Sequence, residues 1–174
     1  DTSLDPIAFI LKRRSVRQFT GEKVNDEQID LLLKAAMAAP SACCRDPWHF
    51  IVLRDPENCR RLAEHLPNGK FLPEAGCGII VCGRIPEAHG QLVGYLLEDC
   101  SAAIENILLA VPALGLGACW LGVYPREERV AAIRELFGVP QDVIPVGVVA
   151  VGHPREVPPP RTRYTPEKVH SERW

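Results

Sequence analysis

The sequence predicts one α+β domain, and three observations lead there. Four short apolar runs of strand character are interleaved with about five segments of helical period, the pattern of a sheet with helices around it. A chain of 174 residues, 47% hydrophobic and 24% charged, has the size and composition of one folded unit with its own core. The stretch from Asp99 to Leu116, DCSAAIENILLAVPALGL, carries Glu105 as its only charge after the first residue, and a helix so apolar is covered on most sides. The cover comes either from the chain's own sheet and helices or from a second copy. The expected unit spans residues 1–174, with an extended tail from about Pro154.

The elements follow in order. Asp5-Pro6 reads as a helix start, Asp as cap and Pro at the first helical position, with the helix running to about Arg13. Asn25 and Gln28 have the spacing of a capping box. Behind them Ile29, Leu32, Leu33, Ala36 and Met37 form one apolar face, ended by Pro40. Trp48–Leu53 is a buried strand. Asp55-Pro56 opens a helix that buries Cys59, Leu62, Ala63 and Leu66 and stops at Pro67-Asn68-Gly69. A short strand covers 78–82, and the long helix runs from about Leu92 to Leu114 with Pro112 in its last turn. A strand at 118–123, a helix at 125–137 closed by Gly138 and Pro140, and a strand at 143–151 complete the core. The tail holds five prolines by Pro166 and has no means of packing as a regular element.

Composition excludes several classes. A formal net charge of -2 gives no basic field for nucleic acid. Seven cysteines, an odd number, show no C-x-x-C pair and no zinc spacing. No secretory signal opens the sequence and no apolar run suits a bilayer. The expectation is a reduced cytoplasmic protein with free thiols, no metal, and no nucleic-acid or membrane partner.

Against that slightly acidic background, LKRRSVRQF places Lys12, Arg13, Arg14 and Arg17 within six residues, with Ser15 among them. Guanidinium groups pair with phosphate oxygens through charge-assisted hydrogen bonds, and a hydroxyl adds a donor. A second pair, Arg161 and Arg163, lies in the tail. The two clusters either converge on one phosphate or are solvated loop charge. GLGACW, Gly115–Trp120, runs from helix to strand and ends in Trp, so it is no dinucleotide fingerprint, and its glycines read as a tight helix exit. Gly122 after the strand would let backbone approach a flat ligand. Cys43-Cys44 lies in a loop beside Arg45, which favours thiolate, although such cysteines also serve as small packed residues. His49 and His153 read as satisfied structural groups.

RRSVRQF, PSACCRDPW, GLGACWLG, VGHP and the closing HSERW follow one another from Ile7 to Trp174 in an order that resembles the nitroreductase family of small flavin-dependent oxidoreductases. The resemblance implies an α+β fold with a mixed, mostly antiparallel sheet flanked by helices. It also implies a homodimer with the long helix at its interface, and FMN bound there with NAD(P)H as reductant. It implies FMN phosphate contacts from Arg13, Arg14, Ser15, Arg161 and Arg163, and places Arg17 near N1 and O2 of the ring, where a cation favours the reduced form. Pro40, Ser41 and Ala42 resemble the segment that reaches the flavin from the partner chain, and Cys44 belongs to the same motif. The Leu121-Gly122 turn resembles the one whose amide addresses flavin N5. Asn68 and Lys70 fall where further flavin contacts are often made. The implied catalytic set is Arg17, Leu121 and Gly122.

The sequence departs from the family pattern at Cys44, usually asparagine, and Asp46, usually glutamine, which removes an amide donor and adds a negative charge. The activity implied is hydride transfer from NAD(P)H through flavin N5 to a small electron-poor acceptor such as a nitroaromatic or quinone. Alternatives stay open: a non-catalytic flavin-binding or thiol redox-sensing dimer, a dehalogenating or flavin-fragmenting relative, or a structural dimer without cofactor. Residues 71–94 are the expected active-site cover.

Overall fold

The computed structural model describes residues 5–174. Asp5 caps α1 (Pro6–Leu11) by accepting from the Ile7 amide. The capping box forms as read. The Asn25 side chain accepts from Gln28 N and the Gln28 side chain accepts from Asn25 N, which starts α2 (Asp26–Met37). The expected face of α2 holds for Ile29, Leu32 and Ala36, whereas Leu33 is half-buried and Met37 exposed. β1 (Trp48–Leu53) leads to α3 (Pro56–Ala63), shorter than expected although Leu66 is buried beyond its end. A one-turn α4 (Leu72–Ala75) follows, too short to leave a periodic signal. β2 (Cys77–Arg84) is longer than the 78–82 expected. Gly83, which reads as a strand end, is where Leu96 presses on the sheet: a Cβ there would lie 2.3 Å from Leu96 Cγ. Then come α5 (Val93–Ala113), β3 (Gly117–Gly122), α6 (Glu127–Phe137) and β4 (Val143–Gly152).

The sheet order is β1-β2-β4-β3, and all three pairings are antiparallel. The mixed component expected of the sheet has no counterpart among the described residues. Both sheet faces are covered. Cys77, Ile79 and Val81 of β2 face a core shared with α2 and α5, whereas Ile80 and Cys82 face one shared with α3, α4 and α6. Strands buried on both faces read as continuous apolar runs. The β2–β4 register shifts between Val81 and Cys82, skipping Val146. This bulge changes the parity of β4, so Ile144 and Val146 share a core with Val149 and Val151.

The α5 cover is mostly the chain's own. Leu96, Cys100, Ala103, Ile104, Ile107, Leu108 and Val111 are buried between the sheet and α2. Ser101, Ala102, Glu105 and Leu109 are half-buried and Pro112 and Ala113 exposed, leaving one stripe open. No helix among the described residues is long and apolar enough to cross a membrane. All seven cysteines are free, and no group of three His, Cys, Asp or Glu among the described residues could hold a metal.

Two extended segments bring the chain ends together. Val16 N donates to Ala118 O at 2.9 Å, so the arginine segment lies along the start of β3. Gly117 permits this approach, since a Cβ would meet three Val16 atoms at 2.9 Å. Gly117 therefore serves strand packing, and the tight helix exit belongs to Gly115, at φ 70°. Farther along, Phe19 bridges Pro154, Thr20 N donates to His153 O and Arg155 N to Gln18 O. The tail is thereby clamped beside residues 16–20.

Candidate functional site

That clamp places the N-terminal cations opposite the tail. Arg13, Arg14, Ser15, Arg17, Arg161 and Arg163 line one cavity of about 210 Å³. Five guanidinium groups and a hydroxyl face it, and no carboxylate does. Arg14 Nη1 donates to Pro159 O, which fixes the tail against the cluster. Arg13 Nε stands 4.0 Å from Glu105 Oε1 of α5, an ion-pair distance too long for a hydrogen bond. A donor set of this kind suits a phosphate dianion, which offers several acceptor oxygens and needs its charge neutralised.

Arg17 also lines a second cavity, of about 490 Å³. Its wall comes from the 66–71 loop, the end of β3 at 119–122, and Arg129 of α6. Two expected residues, Asn68 and Lys70, lie on it, with Leu121 and Gly122. Lys70 Nζ donates to Ala63 O at 2.9 Å and Glu64 O at 3.3 Å, so its ammonium caps the end of α3. Leu121 is buried against Gly69, whose Cβ, if present, would lie 2.7 Å from Leu121 Cδ1. Gly122 differs: a Cβ there would meet nothing within 4 Å, so its backbone borders open space. Arg129 Nη1 holds the Gly122 carbonyl at 2.9 Å and fixes that turn. A flat ligand can reach this backbone without a side chain intervening.

Arg129 was not legible in the sequence, because it reads as one more charge on the exposed start of a helix. Phe71 and Trp120 also line the cavity. Trp120 is 37% exposed in a strand otherwise read as apolar core. Cys119, on the same wall, has its thiol pushed up by burial, against the opposing pull of Arg17, the Ser15 hydroxyl and Arg13.

Pro40, Ser41, Ala42 and Cys44 line neither cavity. Their loop is braced on α5 instead: Asp99 Oδ1 accepts from Ala42 N at 2.9 Å. Asp99 is 4% exposed, and its Oδ2 has no hydrogen-bond partner. Ser41 Oγ is tied to the Asp46 carboxylate and accepts from Asp46 N at 3.0 Å. The 71–94 segment supplies Phe71 to the cavity, and the rest of it forms α4, β2, two short turns and the start of α5. His49 stands 2.7 Å from Glu87 Oε2 and His153 Nε2 3.2 Å from Lys23 O, both structural roles.

With this geometry in place, comparison with known proteins is direct. The sequence model of the nitroreductase family matches residues 10–69 and 66–153. An Archaeoglobus fulgidus protein named "Putative NADH dehydrogenase/NAD(P)H nitroreductase" is 43% identical over 171 residues, covering 97% of this chain and 98% of its own length. A crystal structure of a Parabacteroides distasonis protein of the same name matches at TM-score 0.93 and 36% identity, covering 99% of this chain and all of that one. A Clostridium difficile structure described as an FMN-dependent nitroreductase matches at TM-score 0.88 and 30% identity, over 97% and 99% of the two chains.

Proposed function

We propose, because this chain belongs to the nitroreductase family, that it is an FMN-dependent oxidoreductase that passes hydride from NAD(P)H to a small electron-poor acceptor such as a quinone or nitroaromatic. One observation carries the reading: the arginine cavity and the larger cavity beside Gly122 share Arg17. A ligand with a phosphate at one end and a flat ring at the other fits that arrangement. Relatives whose names specify FMN and NAD(P)H support the choice of cofactor and reductant. The flavin, when bound, supplies the two-electron relay between nicotinamide and acceptor.

The chain's own residues do the rest. Arg13, Arg14, Ser15, Arg161 and Arg163 hold the phosphate. Arg17 would offset negative charge on the ring of a bound flavin. Arg129 fixes the carbonyl of Gly122, which keeps the Leu121-Gly122 backbone in place at the ring, and Asn68 adds a polar edge. No side-chain acid or base would be required for hydride transfer, and donor and acceptor would use the same open face in turn.

The reading includes a homodimer. A compact monomer of 19.2 kDa exposes about 8,400 Å² by the usual scaling, whereas this chain exposes 10410 Å². Ile7, Ile10, Leu11 and Trp174 are among the exposed large apolar groups. A second copy covering α1 and the open stripe of α5 would bury such surface and bring Pro40–Ala42 and Cys44 to the partner's flavin.

The test is the visible spectrum of the purified protein under anaerobic NADH and then NADPH. A flavin spectrum that bleaches with either donor and returns on adding a quinone is expected. A protein that takes up no added FMN would overturn the reading.

A further inference from the structure

The loop between α2 and β1 is held in an unfavourable backbone shape. Cys43, Cys44 and Asp46 have φ values of 53°, 50° and 49°. Left-handed backbone is disfavoured for residues with a Cβ and persists where surrounding contacts impose it. Here those contacts are three. Asp46 N donates to Ser41 Oγ at 3.0 Å and closes the loop on itself. Arg45 Nε donates to Glu87 O at 3.2 Å. The third comes from α5, where Asp99 Oδ1 accepts from Ala42 N at 2.9 Å.

The Asp99 contact is the costly one. Asp99 is the one buried charged residue among the described residues, and its Oδ2 has no hydrogen-bond partner. A buried carboxyl with one oxygen unpaired lowers stability, and a well-packed apolar side chain would not carry that cost. What Asp99 does in return is hold the first amide of the turn Ala42–Cys44. The same helix holds the end of α2, where Asn106 Nδ2 donates to Ala35 O at 2.9 Å. α5 therefore fixes both the helix from which the loop departs and the loop's first turn.

We propose that Asp99 is a positioning residue for the flavin reaction: from the core of its own chain it fixes the loop that completes the flavin site of a second copy. The proposal rests on the reading under which Pro40, Ser41, Ala42 and Cys44 meet the partner's ring. Asp99 touches neither ring nor substrate in this role and acts through the Ala42 amide alone. α5 also carries the stripe that its own chain leaves open, at Ser101, Ala102, Glu105 and Leu109. One helix thus meets the second copy and holds the loop that reaches into it. Asp99 governs the ring end of the cofactor, whereas the arginine cavity governs the phosphate end.

Asp99→Leu tests the role by removing both oxygens and keeping an apolar side chain in the core. Thermal melting should hold or rise, because a half-paired buried carboxyl is gone. Turnover should nonetheless suffer, with kcat/KM for a quinone falling about tenfold or more, and FMN and riboflavin should weaken by the same factor. Asp99→Asn keeps an oxygen for Ala42 N and should retain most of the activity. Co-expression of two differently tagged chains then separates the copies. One chain carries Asp99→Leu, and the other carries Arg13→Ala with Arg163→Ala. In the mixed dimer the first chain still holds the phosphate and receives an intact loop from the second. At an FMN concentration that fills only the intact arginine cavity, this dimer should reach about half the turnover of the unsubstituted one, well above either parent. A mixed dimer no more active than its parents would overturn the proposal. So would an Asp99→Leu protein that loses stability and activity together, or keeps both. An unsubstituted protein that takes up no FMN would overturn the flavin reading itself and this role with it, whereas the other failures strike the role alone.

Discussion

Replacing Arg13 and Arg163 together by alanine isolates what the phosphate end of the proposed ligand contributes. Both side chains line the arginine cavity, one from each end of the chain. The Arg13 side chain is 27% exposed, so a charge-assisted bond from it keeps about 2 kcal/mol of its usual strength. Arg163 is exposed, and solvent screening reduces its share to about 1 kcal/mol. The sum, about 3 kcal/mol, is a loss of about 150-fold in affinity. Fluorescence titration with FMN measures it, and riboflavin, which has the ring but no phosphate, is the control. The double variant should weaken FMN by that factor and leave riboflavin within about twofold. Equal weakening of both ligands would show that the substitutions disturb the ring site or the fold. Unchanged FMN affinity would show that the cavity does not receive the phosphate.

Three further outcomes follow from the geometry. Gly122→Val should change stability by no more than about 0.5 kcal/mol, because its side chain would enter open space, yet lower kcat sharply by standing where the ring is received; thermal melting and turnover separate the two effects. Gly117→Ala should cost about 1–3 kcal/mol in urea unfolding, since its Cβ would lie 2.9 Å from Val16, and Val16→Ala should restore much of the loss. Stability should also fall at alkaline pH. Cys77, Cys82 and Cys100 stay protonated in the fold up to about 12, whereas unfolded thiols ionise near pH 9, so the unfolded chain binds fewer protons between those values. The stabilisation is complete below about pH 9 and declines toward pH 12 by about 1.4 kcal/mol per thiol per pH unit, and Cys100→Ala should lessen the slope.

Most of the fold was legible because local signals carried it. Asp5, Asn25 and Asp55 cap helices as their spacing suggests, and β1 begins and ends where the apolar run does. Misreadings fell where tertiary contact decides. Gly83 looks like a strand end and is a contact point for α5, α4 has too few residues to show a period, and the β4 bulge is set by its partner strand. At the candidate site, the arginines were visible as charge, but nothing in their spacing joined residues 13–17 to 161–163. The family resemblance suggested that junction, and the Phe19–Pro154 bridge explains it physically. Arg129 and Asp99 stayed hidden for a similar reason. One matters through the Gly122 carbonyl and the other through the Ala42 amide, contacts made across the fold.

The arginine cavity also has a meaning for the protein before any ligand arrives. Five like charges held around about 210 Å³ with no carboxylate among them repel one another. Glu105, beside Arg13, relieves that repulsion only at one edge. The free chain is thus folded against an internal pressure, concentrated where the tail meets the N-terminal segment. Multivalent anions relieve it directly and salt relieves it by screening. The ligand-free protein should accordingly melt higher in sulfate or phosphate than in chloride of equal ionic strength, and its tail should be the first segment cut by protease in dilute buffer. A phosphate-bearing cofactor would then act as the counterion that lets the two ends of the chain stay together.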